Sequence, residues 1–396
     1  MKPLALIFTL LLLFACLLPA GRPALAESSA QDSLRLLCLN IGKADCLLLS
    51  FAGHHYLIDA GYRQNYPALE NALAFAGVDH LDGVILTHCH KDHFGGLSLL
   101  AQSDIPVGAW YAASIYYDVE ADRHPAEAAA AARGQQVTWL SLGDTVPVNS
   151  DASFSVLGPC RLNSDNENNN SLVLFFDSPA GSILFCGDMK EDEEDDLLAR
   201  NLIPACTLLK VGHHGDNKAT SKSLLAAAQP RAAVISTSTA EEPDTPAPSV
   251  LKKLAKISCD AYVTQDARDA LVFTLSGGEI LSVEDVLFPG IPLRLENLSL
   301  AMDVKNDTVT LTNNASETVT LSGYQLYSTK GDELFSLPDL SLAPGAVRVI
   351  GSNASRGALD VTLDSSRVWH QKKRDTAVLY DDSGRPVAVA DNGIEE

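Results

Sequence analysis

One stretch, Thr87-His88-Cys89-His90-Lys91-Asp92-His93-Phe94-Gly95-Gly96, constrains this chain more than any other. It follows the apolar run Val84-Ile85-Leu86, where a buried strand ends and a loop begins. His88 and His90 stand two apart, a spacing that puts both imidazoles on one face of extended backbone. Asp92 and His93 then turn back as a helix starts, and Gly95-Gly96 lets that helix pack closely. Four nitrogen and oxygen donors within six residues suit two neighbouring borderline metal ions better than one four-coordinate ion. Histidine makes up only ten of 396 residues, so three in this order are not an accident of composition.

The chain opens with Lys2, an apolar run from Leu4 to Leu18 interrupted only by Thr9, and Ala24-Leu25-Ala26. That run is shorter than the roughly 20 residues a membrane span needs. It has the form of a secretory signal peptide cleaved after Ala26, so the protein is expected outside the cell or at its surface. Lipid attachment at Cys16 is the weaker reading, because Phe14 is bulky and the apolar run continues past the cysteine. No later segment is long and apolar enough to span a bilayer, and the remaining length allows two ordinary domains. A formal net charge of −21 disfavours tight non-specific binding of nucleic acid. Most cysteines lie inside apolar runs such as Leu37-Cys38-Leu39, as small buried hydrophobes rather than a disulfide framework.

From Leu34 to about Leu287 strands and helices follow one another in α/β order. Leu34–Leu39 and Cys46–Leu49 read as strands, Gly53-His54-His55 as a hairpin turn into Tyr56–Gly61, and Tyr66–Ala76 as a helix. Ser182–Cys186 ends at Gly187-Asp188, and Leu208–Val211 ends at Gly212-His213-His214-Gly215. Three apolar strands therefore deliver His or Asp at their carboxyl ends, the rim where α/β folds build sites. The acidic run Glu191–Asp196 is expected to complement the dipole of a helix N-terminus. Lys210, Lys218 and Lys222 gather around the His213-His214 pair and could hold an anionic substrate. His54, His55, His80, His124 and His370 are expected at surface or turn positions, and Asp45 and Asp59 as supports behind the site.

With these residues in place, His88-Cys89-His90-Lys91-Asp92-His93 resembles the HxHxDH signature of the metallo-β-lactamase superfamily. Within it the chain more closely resembles the hydrolase domain of ComEC-type competence proteins and their free-standing secreted relatives. Ile41-Gly42-Lys43-Ala44-Asp45, Leu57-Ile58-Asp59-Ala60-Gly61, Asn168-Asn169-Asn170-Ser171, Leu184-Phe185-Cys186-Gly187-Asp188 and Leu209–Gly215 look like that family's successive motifs, in order. The resemblance covers roughly residues 34–280 and implies an αβ/βα sandwich with a metal site at one edge. It implies that His88 and His90 bind one divalent ion, Asp92 and His93 a second, and that Asp188 bridges them. One of His213 and His214 would complete the second site, and the other would touch a substrate oxygen or donate a proton. Asp92 and that histidine are the candidates to shuttle the proton.

Two departures stand out. Many members supply a third histidine to the first metal, but none occurs here between His124 and His213. Asn169 or Asn170 is the candidate to approach the metal or a bound oxyanion instead, with Lys218 as a further substrate contact. Relatives often carry histidine before the proline corresponding to Pro248, where this chain has Ala247. The resemblance implies two ions, zinc or manganese, and hydrolysis of a phosphodiester, with DNA as a substrate. Alternatives are a phosphocholine-type phosphoester esterase, a lactonase, or a non-catalytic binding protein acting through its second domain.

That second domain begins after a linker at Glu284–Pro292, where helical periodicity disappears. Val309–Thr312 and Thr318–Leu321 read as one alternating hairpin, and Ala377–Tyr380 with Pro386–Val389 as another across Asp381–Gly384. The pattern is an all-β sandwich. It resembles the immunoglobulin-like lamin-tail domain through Val309–Leu326, Leu342–Gly345 and Asp375–Pro386. The expected division is a signal peptide over 1–26, a hydrolase domain over 33–286 and a lamin-tail-like domain over 293–396. The last carries no ligand cluster and reads as a binding or spacer module for an unknown partner, such as a cell-surface component.

Overall fold

Alternation along the first strand sets the layering. In β1 (Leu34–Leu39), Leu36 and Cys38 enter one core while Leu37 and Leu39 enter another, the period-two signature of a strand covered on both faces. The computed structural model describes residues 33–117, 123–290 and 297–394; the expected signal peptide and its cleavage point lie outside them.

Among the described residues, fifteen strands precede residue 290 in two sheets. After β1 come β2 (Leu47–Phe51), β3 (His54–Ile58), β4 (Leu81–Leu86), β5 (Val107–Ala113), β6 (Val137–Leu140), β7 (Thr145–Pro147) and β8 (Ser153–Gly158). Then follow β9 (Val173–Ser178), β10 (Gly181–Phe185), β11 (Leu208–Lys210), β12 (Ala232–Ile235), β13 (Asp260–Val263), β14 (Ala270–Ser276) and β15 (Glu279–Val286). One sheet runs β15-β14-β1-β2-β3-β4-β5-β6 and the other β13-β12-β11-β10-β9-β8-β7. Leu36, Leu49, Phe154, Phe176, Phe185 and Phe273 fill the space between them. Each such side chain contributes roughly 1.5–3 kcal/mol by leaving water.

Helices cover the outer faces. On the first sheet lie α1 (Tyr66–Ala76), α2 (Lys91–Phe94), α3 (Leu97–Leu100) and α4 (Pro125–Ala132). On the second lie α5 (Glu191–Ala199), α6 (Lys222–Ala228) and α7 (Pro248–Lys256), with Leu197, Leu224, Val250 and Leu254 buried beneath them. This is the expected αβ/βα sandwich. Gly53-His54-His55 is not a turn, however: the chain reverses at Ala52-Gly53, and His54 and His55 already pair with Phe51 and Ser50. His124 is also not a surface residue, being packed between Tyr116 and Trp139 at 5% exposure.

The acidic run does more than face a helix dipole. Glu193 and Glu194 turn inward and accept hydrogen bonds from the backbone N–H of Cys160 at 2.8 Å and Ser221 at 2.9 Å. Burial pushes the Glu193 carboxyl up from 4.5 to about 7. An acid raised on folding favours the folded state fully below pH 4.5, and that contribution fades as pH rises through about 7. Glu193→Gln keeps the acceptor without the charge. The variant is expected to match the wild type near pH 4 and exceed it by about 1–2 kcal/mol above pH 7, read from urea unfolding at both pH values.

Beyond residue 296 the described elements are strands only. Leu298–Asp303, Thr308–Asn313, Val347–Gly351 and Val361–Thr362 form one sheet, and Glu333–Ser336, Gln325–Ser328, Thr376–Tyr380 and Pro386–Asp391 another. Trp369, Leu311, Ile350 and Leu379 lie in the core between them. The second expected hairpin forms, but the first does not. Thr308–Asn313 pairs with Leu298–Asp303 and Val347–Gly351, while Val319–Leu321 crosses to Leu340–Leu342. Both partners match an alternating strand equally well, so local pattern could not choose between them.

This sandwich is no detached spacer. Arg385, 4% exposed, donates to Asp269 of the first unit at 2.8 Å and pairs with Asp381 at 3.0 Å. Asn65 donates to the carbonyl of Gly384 at 3.0 Å, and the rings of Tyr62 and Tyr327 lie 5.5 Å apart.

Candidate metal centre

Strand β4 delivers Thr87 and His88 at its carboxyl end, and the chain then turns into α2, which carries Asp92 and His93. The two glycines that follow are required by close approach. A Cβ on Gly96 would stand 2.4 Å from the Ala60 carbonyl oxygen, and one on Gly95 would stand 2.5 Å from the Arg63 nitrogen. Asp188 follows β10 and the His pair follows β11, in the opposing sheet. His213 and His214 both adopt left-handed backbone, at φ 43° and 54°, which throws their side chains in different directions.

The result is two groups of donors that share Asp188. Asp92, His93, Asp188 and His214 form one and His88, His90 and Asp188 the other, each with ligand atoms within 4.8 Å of one another. Asp188 Oδ2 lies 3.4 Å from His93 Nε2, 3.5 Å from His214 Nε2 and 3.7 Å from His88 Nε2. His88 Nε2 and His90 Nδ1 are 3.0 Å apart.

Supporting residues fix which nitrogen faces inward. Asp59 accepts from the Thr87 backbone N–H and hydroxyl, both at 2.8 Å, and from His93 Nδ1 at 2.7 Å. Because the Thr87 hydroxyl gives its hydrogen to Asp59, it accepts from His88 Nδ1 at 3.1 Å. His214 Nδ1 donates to the Ser236 carbonyl at 2.8 Å. With Nδ1 committed in each ring, the Nε2 atoms of His88, His93 and His214 face Asp188, where a metal ion would take the place of a proton. Asp59→Asn would turn an amide donor toward these groups. It is expected to weaken metal affinity about 10- to 100-fold, measured by competition with a chromophoric chelator.

The electrostatics call for cations. Burial disfavours charge on His93 and His214, yet neighbouring Asp188, with Asp59 and Asp92, overrides it and holds His93 well above the usual range. His214 is raised to about 9 by Asp188 and Asp92 against the same burial. Burial dominates at His88, which is held well below the imidazole range. Asp188 Oδ1 and His93 Nε2 are buried without a hydrogen-bond partner, as expected of atoms shaped to ligate. Histidine nitrogen with carboxylate oxygen suits zinc and similar divalent ions, so the donor set fits a metal.

His213 stands apart. Its Nε2 lies 3.8 Å from Asp188 and accepts from Asn168 Nδ2 at 3.1 Å, and burial lowers its pKa to about 4. Of the asparagine run, Asn168 is therefore the member that reaches the site. Asn169 accepts from the Lys190 N–H at 3.0 Å, and Asn170 spends its side chain on Asn163 and Glu167. Lys210 faces away from any substrate, 1% exposed, with its ammonium 2.8 Å from Asp45. Lys218 and Lys222 are exposed or nearly so beyond the His pair. Ala247 is buried at 4% and caps α7. Sequence reading did not single out Thr87, Asn168 or Ser236. Thr87 and Asn168 lie within the quoted motif stretches but were given no role of their own, whereas Ser236 acts through its backbone carbonyl and leaves no side-chain signal.

The lamin-tail-like sandwich forms one wall beside this centre. Lys91 on α2 pairs with Asp332, and a cavity of about 230 Å³ is lined by Lys43, Tyr62, Glu241 and Glu242 on one side and Lys330 and Arg374 on the other. Asp92 and Asp188 are near enough to Lys43 for their charges to raise its pKa against burial.

Comparison with known proteins agrees with this geometry. Residues 40–239 match the metallo-beta-lactamase superfamily and residues 296–393 the lamin tail domain. The chain is 30% identical over 172 residues to ComE operon protein 3 of Bacillus subtilis (strain 168), covering 41% of this chain and 21% of that one. It is 28% identical over 275 residues to competence protein ComA of Neisseria gonorrhoeae, covering 67% and 36% respectively. The chain thus spans well under half the length of either relative. Among solved structures, Zn(2+)-bound PqqB from Methylobacterium extorquens is similar at 12% identity and a TM-score of 0.42, over 60% of this chain and 99% of that one. CmlA, a diiron beta-hydroxylase from Streptomyces venezuelae, is similar at 13% identity and a TM-score of 0.42, over 61% and 54%. A match over half the chain, with its strand-end histidines and aspartates gathered at one edge of an αβ/βα sandwich, places the protein in the metallo-β-lactamase superfamily, as a hydrolase related to competence proteins.

Proposed function

We propose that the chain is an exported, metal-dependent phosphodiesterase with nuclease activity. Its hydrolase unit would span 33–286 and its lamin-tail-like unit 293–396, with export resting on the apolar run Leu4–Leu18. The observation that carries the chemistry is the sharing of Asp188 by two donor groups, the arrangement of a two-ion site. His88, His90 and Asp188 would hold one ion, and Asp92, His93, Asp188 and His214 the other, zinc or, as second choice, manganese. Bound there, two divalent ions supply Lewis acidity, lowering the pKa of water and neutralising charge on phosphoryl oxygens.

The remaining steps belong to side chains. Asp59, Thr87 and the Ser236 carbonyl keep the ligand imidazoles in one tautomer and orientation. His213, neutral at its lowered pKa and oriented by Asn168, holds or passes a proton beside the reacting phosphoryl group. Lys43 stands at the same rim for an anionic oxygen. The match to competence proteins favours a nucleic-acid phosphodiester over phosphocholine esters or lactones.

Elemental analysis of purified protein is expected to give about two ions per chain. Hydrolysis is expected on DNA oligomers and bis-p-nitrophenyl phosphate, and not on phosphocholine esters or lactones. Unchanged phosphodiester hydrolysis in the His88→Ala/His90→Ala protein would overturn the proposal. Absence of bound metal would favour a binding protein acting through its second unit.

A further inference from the structure

We infer that the pocket between the two units seats a second phosphate of the substrate, one that neighbours the scissile phosphodiester; this rests on the phosphodiesterase reading. Lys43 of the first unit and Lys330 and Arg374 of the second supply the positive charge, so the lamin-tail-like unit completes the substrate site. The chain as a whole carries 50 acidic against 29 basic residues, yet this lining holds three cations against two carboxylates, Glu241 and Glu242. Both carboxylates are engaged within the wall. Glu241 accepts from the Lys43 backbone N–H at 2.9 Å, and it lies so close to Gly42 that a Cβ there would stand 2.1 Å from its Oε1. Glu242 accepts from Arg374 at 2.8 Å. At about 230 Å³ the pocket falls below the roughly 300–1,000 Å³ that drug-sized ligands occupy, and suits a phosphate group rather than a whole nucleotide.

The pocket adjoins the metal centre through three loops that pack on α2, the helix of Asp92 and His93. Two residues after Lys43, the Asp45 N–H donates to the Asp92 carbonyl at 3.1 Å. Two residues before Tyr62, the Ala60 N–H donates to the His93 carbonyl at 2.7 Å. From the second unit, Asp332, two residues after Lys330, pairs with Lys91 of α2 and accepts from the Tyr327 hydroxyl at 2.9 Å. The Lys330 N–H donates to the buried Asp375 at 3.0 Å, which anchors this loop. Lys43 belongs to both spaces. Burial opposes its charge, but Asp92 and Asp188 of the metal centre, ahead of Glu242 and Glu241 of the pocket, hold the ammonium above its ordinary range. After burial, the same ammonium lowers the pKa of His213, whose Nε2 lies 3.8 Å from Asp188. A diester bound at the donor groups around Asp188 therefore has Lys43 beside it, and its next phosphate meets Lys330 and Arg374.

The test uses full-length, zinc-loaded protein and isothermal titration calorimetry. The ligands are thymidine bisphosphate, phosphorylated at both sugar hydroxyls, and the two thymidine monophosphates. The bisphosphate is expected to bind at least about 10-fold more tightly than either monophosphate, the scale of hydrogen bonds to a charged group. Lys330→Met/Arg374→Met should bring that ratio to about one. Lys330→Arg, which keeps the charge, should retain it. So should Lys305→Met/Arg356→Met, which removes two exposed cations of the same unit outside the pocket. Where the double pocket variant fails to fold, Lys330→Met alone is expected to lower the ratio about 3-fold, half of the same free energy. A ratio of one in the wild type, an unchanged ratio in the pocket variants, or an equal loss in Lys305→Met/Arg356→Met would each overturn the pocket. Hydrolysis of thymidylyl-thymidine and of its terminally phosphorylated forms is scored separately. Preference for the bisphosphate without hydrolysis of any diester would remove the phosphodiesterase reading and leave the phosphate pocket standing.

Discussion

Asp188→Ala is expected to lower phosphodiester hydrolysis by at least about 10²–10³-fold, the scale seen when one preorganised electrostatic stabiliser is lost. Asp188 is the carboxylate common to both donor groups, within 3.8 Å of four imidazoles. Alanine leaves His88 and His90 as a two-nitrogen pair and Asp92, His93 and His214 as a three-donor set. The two-nitrogen pair is too poor to hold a divalent ion, whereas the three-donor set can still hold one, so metal content should fall from about two per chain to about one. Elemental analysis and initial rates on bis-p-nitrophenyl phosphate check both parts. A variant that keeps its full metal content and loses only rate would show Asp188 acting on substrate rather than as a shared ligand.

Lys210→Met is expected to cost about 3–5 kcal/mol of folding stability, because it leaves a buried carboxylate without its partner. Lys210 and Asp45 are each 1% exposed and 2.8 Å apart, and the ammonium also donates to the Val211 carbonyl at 3.1 Å. Methionine fills the stem's volume but cannot neutralise Asp45. Burial opposes the charge on Lys210, and Asp45 restores it and holds the ammonium above its usual range. Pairing Lys210→Met with Asp45→Asn removes both charges, and the double variant should regain part of the loss. Urea unfolding of the four proteins gives the coupling energy directly. Equal losses in single and double variants would mean that the pair contributes only packing.

Residues of the candidate metal centre were legible because they are concentrated at strand ends. His88, His90, Asp92, His93 and Asp188 each follow an apolar run, and a buried strand ending in a ligand leaves a local pattern. The choice between His213 and His214 was not legible. Adjacent histidines carry identical local signals, and what separates them is the Ser236 carbonyl just past β12, which fixes His214, and the Asn168 amide, which holds His213. Lys210 misled for a related reason. A lysine beside a His pair reads as solvent-facing, whereas its partner Asp45 lies far away in sequence and draws it inward. In the second unit, alternating strands were evident but their pairing was not, since the pattern of one strand says nothing about which neighbour it meets.

By itself, then, the sequence pointed to two structural units, to α/β order in the first, and to the side chains that gather into the candidate metal centre. The α/β order follows from periodicity and the metal reading from residue types that have few other uses, while the sandwich and the ligand assignment are what the family resemblance implied. Only the tertiary structure decided that His214 rather than His213 joins the cluster, that Asn168 orients the latter, and that the second unit abuts the site through Arg385, Tyr327 and Asp332. Those outcomes depend on distances between residues far apart along the chain, which no local pattern encodes.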